Sequence, residues 1–266
     1  MQNKKSEVYE NVFDPISYRK RFVSLSDDGD ESMQKIFLWQ LAQFHDFYSS
    51  NFIKNARILE YGGGPCSIYP LISAVPFASE IIFAEYAEQN RRQTEMWKEG
   101  RGEGADFTTL FQHVLANLEG SDRNSVENAK KREDKLRSLI SAIVPCDITE
   151  KMAVDPEVQV PFDIVSTHYC LICACQTIED YKSGLRKLAN LLRPGGRIVM
   201  TEAVRSSFYI VGEEKISTLS LDSRDLVTSC LQQAGFSQVS VNVLEAPPSE
   251  LTPCTECLFI NAVVDQ

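Results

Sequence analysis

The sequence predicts an α/β fold: a Rossmann-like, doubly wound sheet of seven strands that ends in an antiparallel strand pair. Three observations carry this. Short apolar runs alternate with amphipathic, charged segments along most of the chain, which is the pattern of strands crossed over by helices. A glycine-rich turn, "YGGGPCS" (Tyr61–Ser67), follows the first strand and opens the first helix after it, where open parallel sheets bind ligands. The last two apolar runs follow one another with no helical segment between them, so they pair antiparallel.

The elements follow in order. Residues 31–50 set Met33, Phe37, Leu41 and Phe44 at helical spacing, and "DDGD" before them supplies a turn and an N-cap. "ARILEY" is the first strand. "EIIFAEY" (Glu80–Tyr86) is the second, and "QNRRQTEMWKEG" is the helix after it. Residues 101–141 read as a charged insertion with at least one helix. "SAIVPCD" and "FDIVSTHY" are the third and fourth strands. A helix around "IEDYKSGLRKLANLL" follows, "RPGG" makes a turn, and "RIVMTEA" is the fifth strand. "SRDLVTSCLQQAG" is a helix stopped by Gly235. "SQVSVNVLEA" and "ECLFINAVV" complete the sheet. No repeat or low-complexity linker interrupts this order, so residues 1–266 read as one domain, with residues 1–50 as a helical N-terminal lid segment.

Composition narrows the function. A chain of 266 residues with net charge −10 buries a substantial core, and its acidity argues against nucleic-acid partners, which require clustered Lys and Arg. The basic run "AKKREDKLR" (Ala129–Arg137) is broken by acids and reads as a solvated helix face. "MQNKKSEVYE" lacks the apolar segment of a signal peptide, and no stretch approaches the roughly 18 apolar residues of a membrane span. A cytoplasmic monomer without membrane contact is expected. Its eight cysteines are then reduced. Cys254 and Cys257 form a C-x-x-C, and "CLICAC" (Cys170–Cys175) reads as small buried hydrophobes. Zinc would need four convincing ligands, so no metal is expected.

The glycine turn asks what comes close to its backbone: a dinucleotide, a phosphate or another flat adenosine-bearing cofactor. Gly62, Gly63 and Gly64 are followed by Pro65, Cys66 and Ser67. The third glycine of a dinucleotide fingerprint is missing, and no G-K-[ST] of a P-loop follows. Instead Glu60 precedes the glycines, Glu85 ends the second strand where a carboxylate accepts ribose hydroxyls, and Asp147 follows the third strand, where it could meet an adenine amine. Acids around a ligand without phosphate suit a cationic nucleoside, and S-adenosyl-L-methionine carries a sulfonium. Plainer roles exist: Tyr69 and Tyr209 as core aromatics, Asp147 as a turn former.

With these residues in view, the chain resembles the class I methyltransferases, and within them the group of nicotinamide, phenylethanolamine and indolethylamine N-methyltransferases. The matching stretches are "GGGPCSIYPLISA", "AEYAEQNRRQTEMW", "LEG", "CDIT", "LLRPGGRIVM", "SSFYIVGEEKIS" and "QQAGF", which span most of the chain in order. "SSFYIVGEEKIS" is the most specific of them. The resemblance implies cofactor contacts at Tyr18, Gly62, Gly64, Tyr69, Glu85, Asn90, Asp147 and Ile148, and at Thr167 or His168. It implies substrate contacts at Glu202, Ser206, Tyr209 and Thr218, with the last three in a loop and helix that wall the pocket. There are departures. Glu85 and Glu202 stand where the nicotinamide enzyme has aspartate, Cys66 or Ser67 is an extra residue in the glycine loop, Val23 replaces a second tyrosine, and Ile172 replaces an acid facing substrate.

The implied reaction is in-line methyl transfer from sulfonium to an amine nitrogen. A pyridine offers its lone pair at neutral pH, whereas an aliphatic amine must first lose a proton, a task for Glu202. A nicotinamide-like pyridine ranks ahead of an arylalkylamine, and a thioether stays open. An NAD-dependent oxidoreductase and a catalytically inactive cofactor-binding regulator are the alternatives of other classes. An aromatic-rich segment, residues 9–25 with Tyr9, Phe13, Tyr18 and Phe22, is expected to close over the site.

Overall fold

The computed structural model describes residues 9, 13–25, 30–50, 53–65, 67–101, 106–120 and 126–265. Cys66, named above as a candidate extra residue, and parts of the 101–141 segment lie outside them. The strands are β1 (Ala56–Tyr61), β2 (Ala78–Glu85), β3 (Ile140–Pro145), β4 (Phe162–His168), β5 (Leu192–Val204), β6 (Phe208–Val211), β7 (Glu214–Ser217), β8 (Phe236–Glu245) and β9 (Glu256–Val264). Seven of them form one sheet in the order β3-β2-β1-β4-β5-β9-β8, and β6 and β7 form a separate hairpin. The first five strands run parallel, while β9 is antiparallel to both β5 and β8. The chain therefore reverses between β1 and β4, the crevice where open α/β sheets take their ligands.

Strand patterning explains each position. β1 is central, and Ile58, Leu59 and Tyr61 are buried on both of its faces, as continuous apolar runs require. β8 lies at the edge and alternates: Val239, Val241 and Val243 pack on the core between more exposed neighbours.

The helices are α1 (Pro15–Phe22), α2 (Glu31–Tyr48), α3 (Glu88–Lys98), α4 (Thr108–His113), α5 (Val126–Leu139), α6 (Cys170–Ala174), α7 (Ile178–Ala189) and α8 (Arg224–Gln233). The predicted cap of α2 forms: Asp30 accepts from the Met33 backbone N–H at 2.9 Å. Its predicted face, Met33, Phe37, Leu41 and Phe44, is buried. Phe37, Leu41 and Phe44 pack in one core with Ile58, Ile164 and Val199 of the sheet. A second core on the opposite face gathers Leu185 and Leu188 of α7, Val227 and Leu231 of α8 and Met200 of β5. α7 starts on a capping box in which Thr177 and Asp180 satisfy each other's backbone N–H. Among the described residues, no helix is long and apolar enough to cross a membrane.

Four expectations change. The 106–118 stretch is not a polar appendage, because Phe107, Leu110, Phe111, Val114 and Leu115 are buried in the first core through α4 and a π-turn over Val114–Leu118. The glycine turn opens no α-helix, only a 3₁₀ turn at Tyr69–Leu71, where Pro70 lacks the N–H a helix would use. "RPGG" lies inside β5, whose pairing with β4 shifts register there, with Gly195 at φ +72°. "SSFYIVGEEKIS" is the β6–β7 hairpin rather than a loop and helix.

Candidate active site

A cavity of about 730 Å³ opens at the carboxyl ends of β1, β2 and β4. One end is built on the glycine turn. Gly62 and Gly63 are glycines for the protein's own sake. A Cβ on Gly62 would meet Cys170 Sγ at 2.3 Å, and one on Gly63 would meet the Phe83 ring at 2.2 Å. This corrects the reading that an approaching ligand stripped both side chains. Gly64, at φ +57°, lines the cavity, and its N–H donates to Glu85 Oε2 at 2.9 Å.

Glu85 organises this end. Its Oε1 accepts from the Ala87 N–H and from Asn90 Nδ2, each at 3.0 Å. Burial raises its pKa, and the Asn90, Ala87 and Gly64 bonds work against that rise. Three internal donors leave little of the carboxylate for two ribose hydroxyls, so Glu85 shapes the loop as much as it faces the cavity. Asn90 Oδ1 is buried and has no partner among the described residues, an acceptor left for a ligand.

Asp147, Ile148 and Thr149 form the adjoining wall. Asp147 Oδ1 accepts from the Thr149 N–H at 2.8 Å and from its hydroxyl at 2.7 Å. Lys187 Nζ donates to the carbonyls of Ile148 at 2.6 Å and Glu150 at 2.7 Å, which ties this loop to α7. α7 comes this close through Gly184, where a Cβ would stand 3.0 Å from Ile148. Lys187, Asp180 and Ser183 also line the cavity, and no spacing in the sequence pointed to them.

Strand alternation separates the two candidates at the end of β4. His168 lines the cavity; Thr167 faces the other way and does not. The ring of His168 is held between Ser166 Oγ, 2.8 Å from Nε2, and Thr201 Oγ1, 3.2 Å from Nδ1. Burial lowers its pKa to about 3, so it is neutral. Glu60, whose Oε1 lies 3.9 Å from His168 Nε2, has its pKa raised by burial, and it does not line the cavity. Helix α2 sets the aromatic geometry: Phe44 meets His168 edge-on at 4.7 Å, and Phe37 meets Tyr69 at 5.0 Å.

The other end is an aromatic chamber. Tyr18 and Phe22 of α1 stand 6.5 and 6.1 Å from Tyr209, both edge-on. Tyr9 Oη lies 2.6 Å from Tyr209 Oη, and Phe13 stacks at 5.4 Å from Tyr18. Gln89 Nε2 donates to the carbonyls of Tyr9 at 2.6 Å and Phe13 at 3.2 Å, and Arg19 reaches the Pro65 carbonyl at 3.3 Å, fastening this segment over both ends. Burial raises the Tyr18 and Tyr209 phenols, which stay neutral. Ser206 and Thr218 line the cavity, but their hydroxyls brace the hairpin: Thr218 Oγ1 donates to the Ser206 carbonyl at 2.7 Å, and Ser206 Oγ lies 2.9 Å from Thr252 Oγ1. "CLICAC" splits: Leu171, Ile172 and Cys175 are buried, whereas Cys170 and Cys173 are only half-buried, and both line the cavity.

Glu202 stands behind the wall. It is 1% exposed, its residue does not line the cavity, and Tyr181 Oη donates to its Oε1 at 3.1 Å. Its Oε2 has no partner among the described residues. Burial pushes its pKa from 4.5 up to about 8, against the Tyr181 bond. The folded protein thus keeps this proton to about pH 8, while the unfolded chain loses it near 4.5. The associated stability is complete below 4.5 and drains away as pH rises to about 8. Glu202→Gln cannot ionise. Its stability relative to wild type is expected to improve across that window, by at most about 1.4 kcal/mol per pH unit. Urea unfolding of both proteins at each end of the window checks this, and a difference independent of pH counts against it.

Strand order, switch-point cavity and terminal antiparallel pair together define a class I methyltransferase fold. The NNMT/PNMT/TEMT family profile matches residues 2–262, and the chain belongs to this family. It is 30% identical over 253 residues to nicotinamide N-methyltransferase of Homo sapiens, covering 95% of this chain and 93% of that one. It is 31% identical over 245 residues to indolethylamine N-methyltransferase of Mus musculus, covering 92% and 89%. Among solved structures, the glycopeptide N-methyltransferase MtfA complexed with S-adenosyl-L-homocysteine superposes with a TM-score of 0.55 over 84% of this chain and 89% of that one. At 10% identity, that likeness is one of fold. The family read from the motifs holds, and membership sets aside the NAD-dependent oxidoreductase.

Proposed function

We propose that this chain is an S-adenosyl-L-methionine-dependent N-methyltransferase of a small aromatic acceptor, a nicotinamide-like pyridine ahead of an arylalkylamine. The observation that carries the reading is the division of charge along the cavity. Its acids, Glu85, Asp147 and Asp180, sit on β2, after β3 and on α7, each already bonded within its own loop or cap, while α1 and the β6–β7 hairpin line it with rings and hydroxyls and no acid. The acid expected beside the acceptor, Glu202, is buried off the wall and protonated at neutral pH. An ammonium brought into such a chamber would lose its water without gaining a counter-charge. A neutral pyridine needs neither counter-charge nor base.

The residues present fit the cofactor. Asn90 Oδ1, buried and unpartnered, is an acceptor for a hydroxyl. Gly64, Glu85 and Asn90 would hold its sugar, Asp147 and Ile148 would flank its base, and Tyr18, Tyr69 and His168 would meet its sulfonium end. When bound, the cofactor supplies an electrophilic methyl group. The chain's task is then to orient the acceptor nitrogen and exclude water, and orientation of this kind contributes about 7–11 kcal/mol. The rings of Tyr18, Phe22 and Tyr209 would fix the acceptor plane and favour the positive charge that develops on it.

The test is methyl transfer from radiolabelled donor to a panel of pyridines, arylalkylamines and thioethers by wild type and Glu202→Gln. Pyridine methylation is expected to dominate and to fall by less than about tenfold in Glu202→Gln, because an amide replaces a neutral acid of the same shape. Efficient methylation of arylalkylamines with pyridines ignored would reverse the ranking. Donor binding with no acceptor methylated would favour the inactive regulator.

A further inference from the structure

The methyl transfer proposed above does not use the C-x-x-C motif, yet both of its residues line the cavity. Cys254 Sγ lies 3.8 Å from Cys257 Sγ and 3.1 Å from the Glu256 carbonyl. Cys257 is buried in β9, locked in the ladder between Ala203 and Leu244, whereas Cys254 is partly exposed in the loop before it. Among the described residues no group of three possible ligands gathers, so a metal does not account for the pair. We propose that Cys254 and Cys257 form a reactive dithiol that a low-molecular-weight disulfide converts to an intramolecular disulfide, and that this cross-link reshapes the acceptor end of the cavity.

The chemistry balances. Cys254, as thiolate, attacks one sulfur of oxidised glutathione; that S–S bond breaks and one glutathione thiolate leaves. Cys257 then gives up its proton and attacks Cys254 Sγ, expelling the second glutathione. The two protein thiols are oxidised by two electrons, and the reagent disulfide is reduced to two thiols. The accessible member of the pair is also the better nucleophile: the bond from Cys257, then backbone contacts, hold the Cys254 thiol below its ordinary pKa, while the same bond drives that of Cys257 up.

Coupling to the chamber follows from the bonds of the loop. The sulfurs must close from 3.8 Å to about 2.05 Å, and Cys257 is fixed in the sheet, so Cys254 moves. Its loop carries Thr252, paired with Ser206 at 2.9 Å, and Leu251, whose carbonyl accepts from the Ile210 N–H at 3.0 Å. Ile210 is next to Tyr209 in β6, so the displacement reaches the ring of the chamber.

The test uses the full chain. Protein treated with oxidised glutathione is alkylated, digested and read by mass spectrometry, with amide hydrogen exchange measured in parallel. The expected result is a Cys254–Cys257 cross-link that dithiothreitol reverses, trapped glutathione on Cys254 in Cys257→Ser, and altered exchange over residues 206–218. On the methyl-transfer reading, turnover of the oxidised wild type falls about tenfold from its own reduced form, while oxidised and reduced Cys254→Ser do not differ. Absence of the cross-link, or a cross-link with unchanged exchange in the hairpin, overturns the proposal. A reversible cross-link with altered exchange in a protein that methylates nothing supports the dithiol and refutes methyl transfer.

Discussion

Glu85→Ala is expected to weaken S-adenosyl-L-methionine binding about a hundredfold or more and to lower fold stability by about 3 kcal/mol. The magnitude comes from the donors it strands. The N–H groups of Gly64 and Ala87 and the amide of Asn90 all end on this one buried carboxylate. A buried donor left without a partner costs about 1–3 kcal/mol, and cavity water can rescue part of the three. Gly64 would lose the bond that holds it at φ +57°, and Asn90 would lose the bond that orients its Oδ1. The cofactor end would therefore lose its shape as well as one contact. Glu85→Gln keeps a single carbonyl acceptor and is expected to fall between the two. Calorimetric titration with the donor and thermal unfolding check both halves. Unchanged affinity in Glu85→Ala would sink the cofactor assignment, and unchanged stability would sink the structural role.

The central sheet was legible because its strands are buried on both faces. A run such as "RILEY" admits few other environments in a chain of this composition, and the length of each crossover forced parallel neighbours. The terminal pair was legible for another reason: "SQVSVNVLEA" and "ECLFINAVV" follow one another with no helical segment between them, too short a connection for a parallel crossover. The β6–β7 hairpin was missed although its signal was present. Val211-Gly212-Glu213-Glu214 is a two-residue turn led by a glycine, found at φ +60°, between the four-residue runs "FYIV" and "EKIS". The buried face of the 106–118 stretch was missed in the same way: Phe107, Leu110, Phe111, Val114 and Leu115 recur at helical spacing, but the charges around them dominated the reading.

The site divides along the same line. Positions that a strand end fixes were readable: Glu85 closes β2, His168 closes β4 and Asp147 follows β3 by two residues, and all three line the cavity. Residues whose role depends on which way a side chain turns were not. Thr167 and His168 are neighbours of similar polarity, and only the pleat decides that His168 meets the cavity. Glu202 ends no strand. Two further residues of β5 follow it, and the pleat directs it towards Tyr181 and α7. Lys187 and Ser183 reach the cavity only because Gly184 lets α7 lie against Ile148, a tertiary contact with no local pattern.

Deleting residues 1–24 is expected to reduce turnover by at least about a hundredfold while leaving the sheet folded. The segment removed carries the rings of Phe13, Tyr18 and Phe22, three of the aromatic faces around Tyr209. It also carries the Arg19 tie to the Pro65 carbonyl and the two carbonyls that Gln89 holds. Without it the chamber lies open to water, and neither the acceptor plane nor the glycine loop is held from above. The sheet has its own support. Phe37, Leu41, Phe44 and Phe47 of α2 are buried against the Ile58, Ile164 and Val199 face, whereas Tyr18 and Phe22 of α1 pack on it only partly buried, so the core keeps its principal layer. Val23, at 6% exposure on that core, and Phe13, at 5% against Val211 and Ile216, are the buried apolar losses, worth about 1.5–3 kcal/mol each. Turnover with the best acceptor, set beside near-ultraviolet circular dichroism and the unfolding midpoint, separates the two effects. A truncated protein that folds and turns over at the full rate shows the lid idea to be wrong. One that fails to fold shows instead that α1 is a structural part of the sheet's cover.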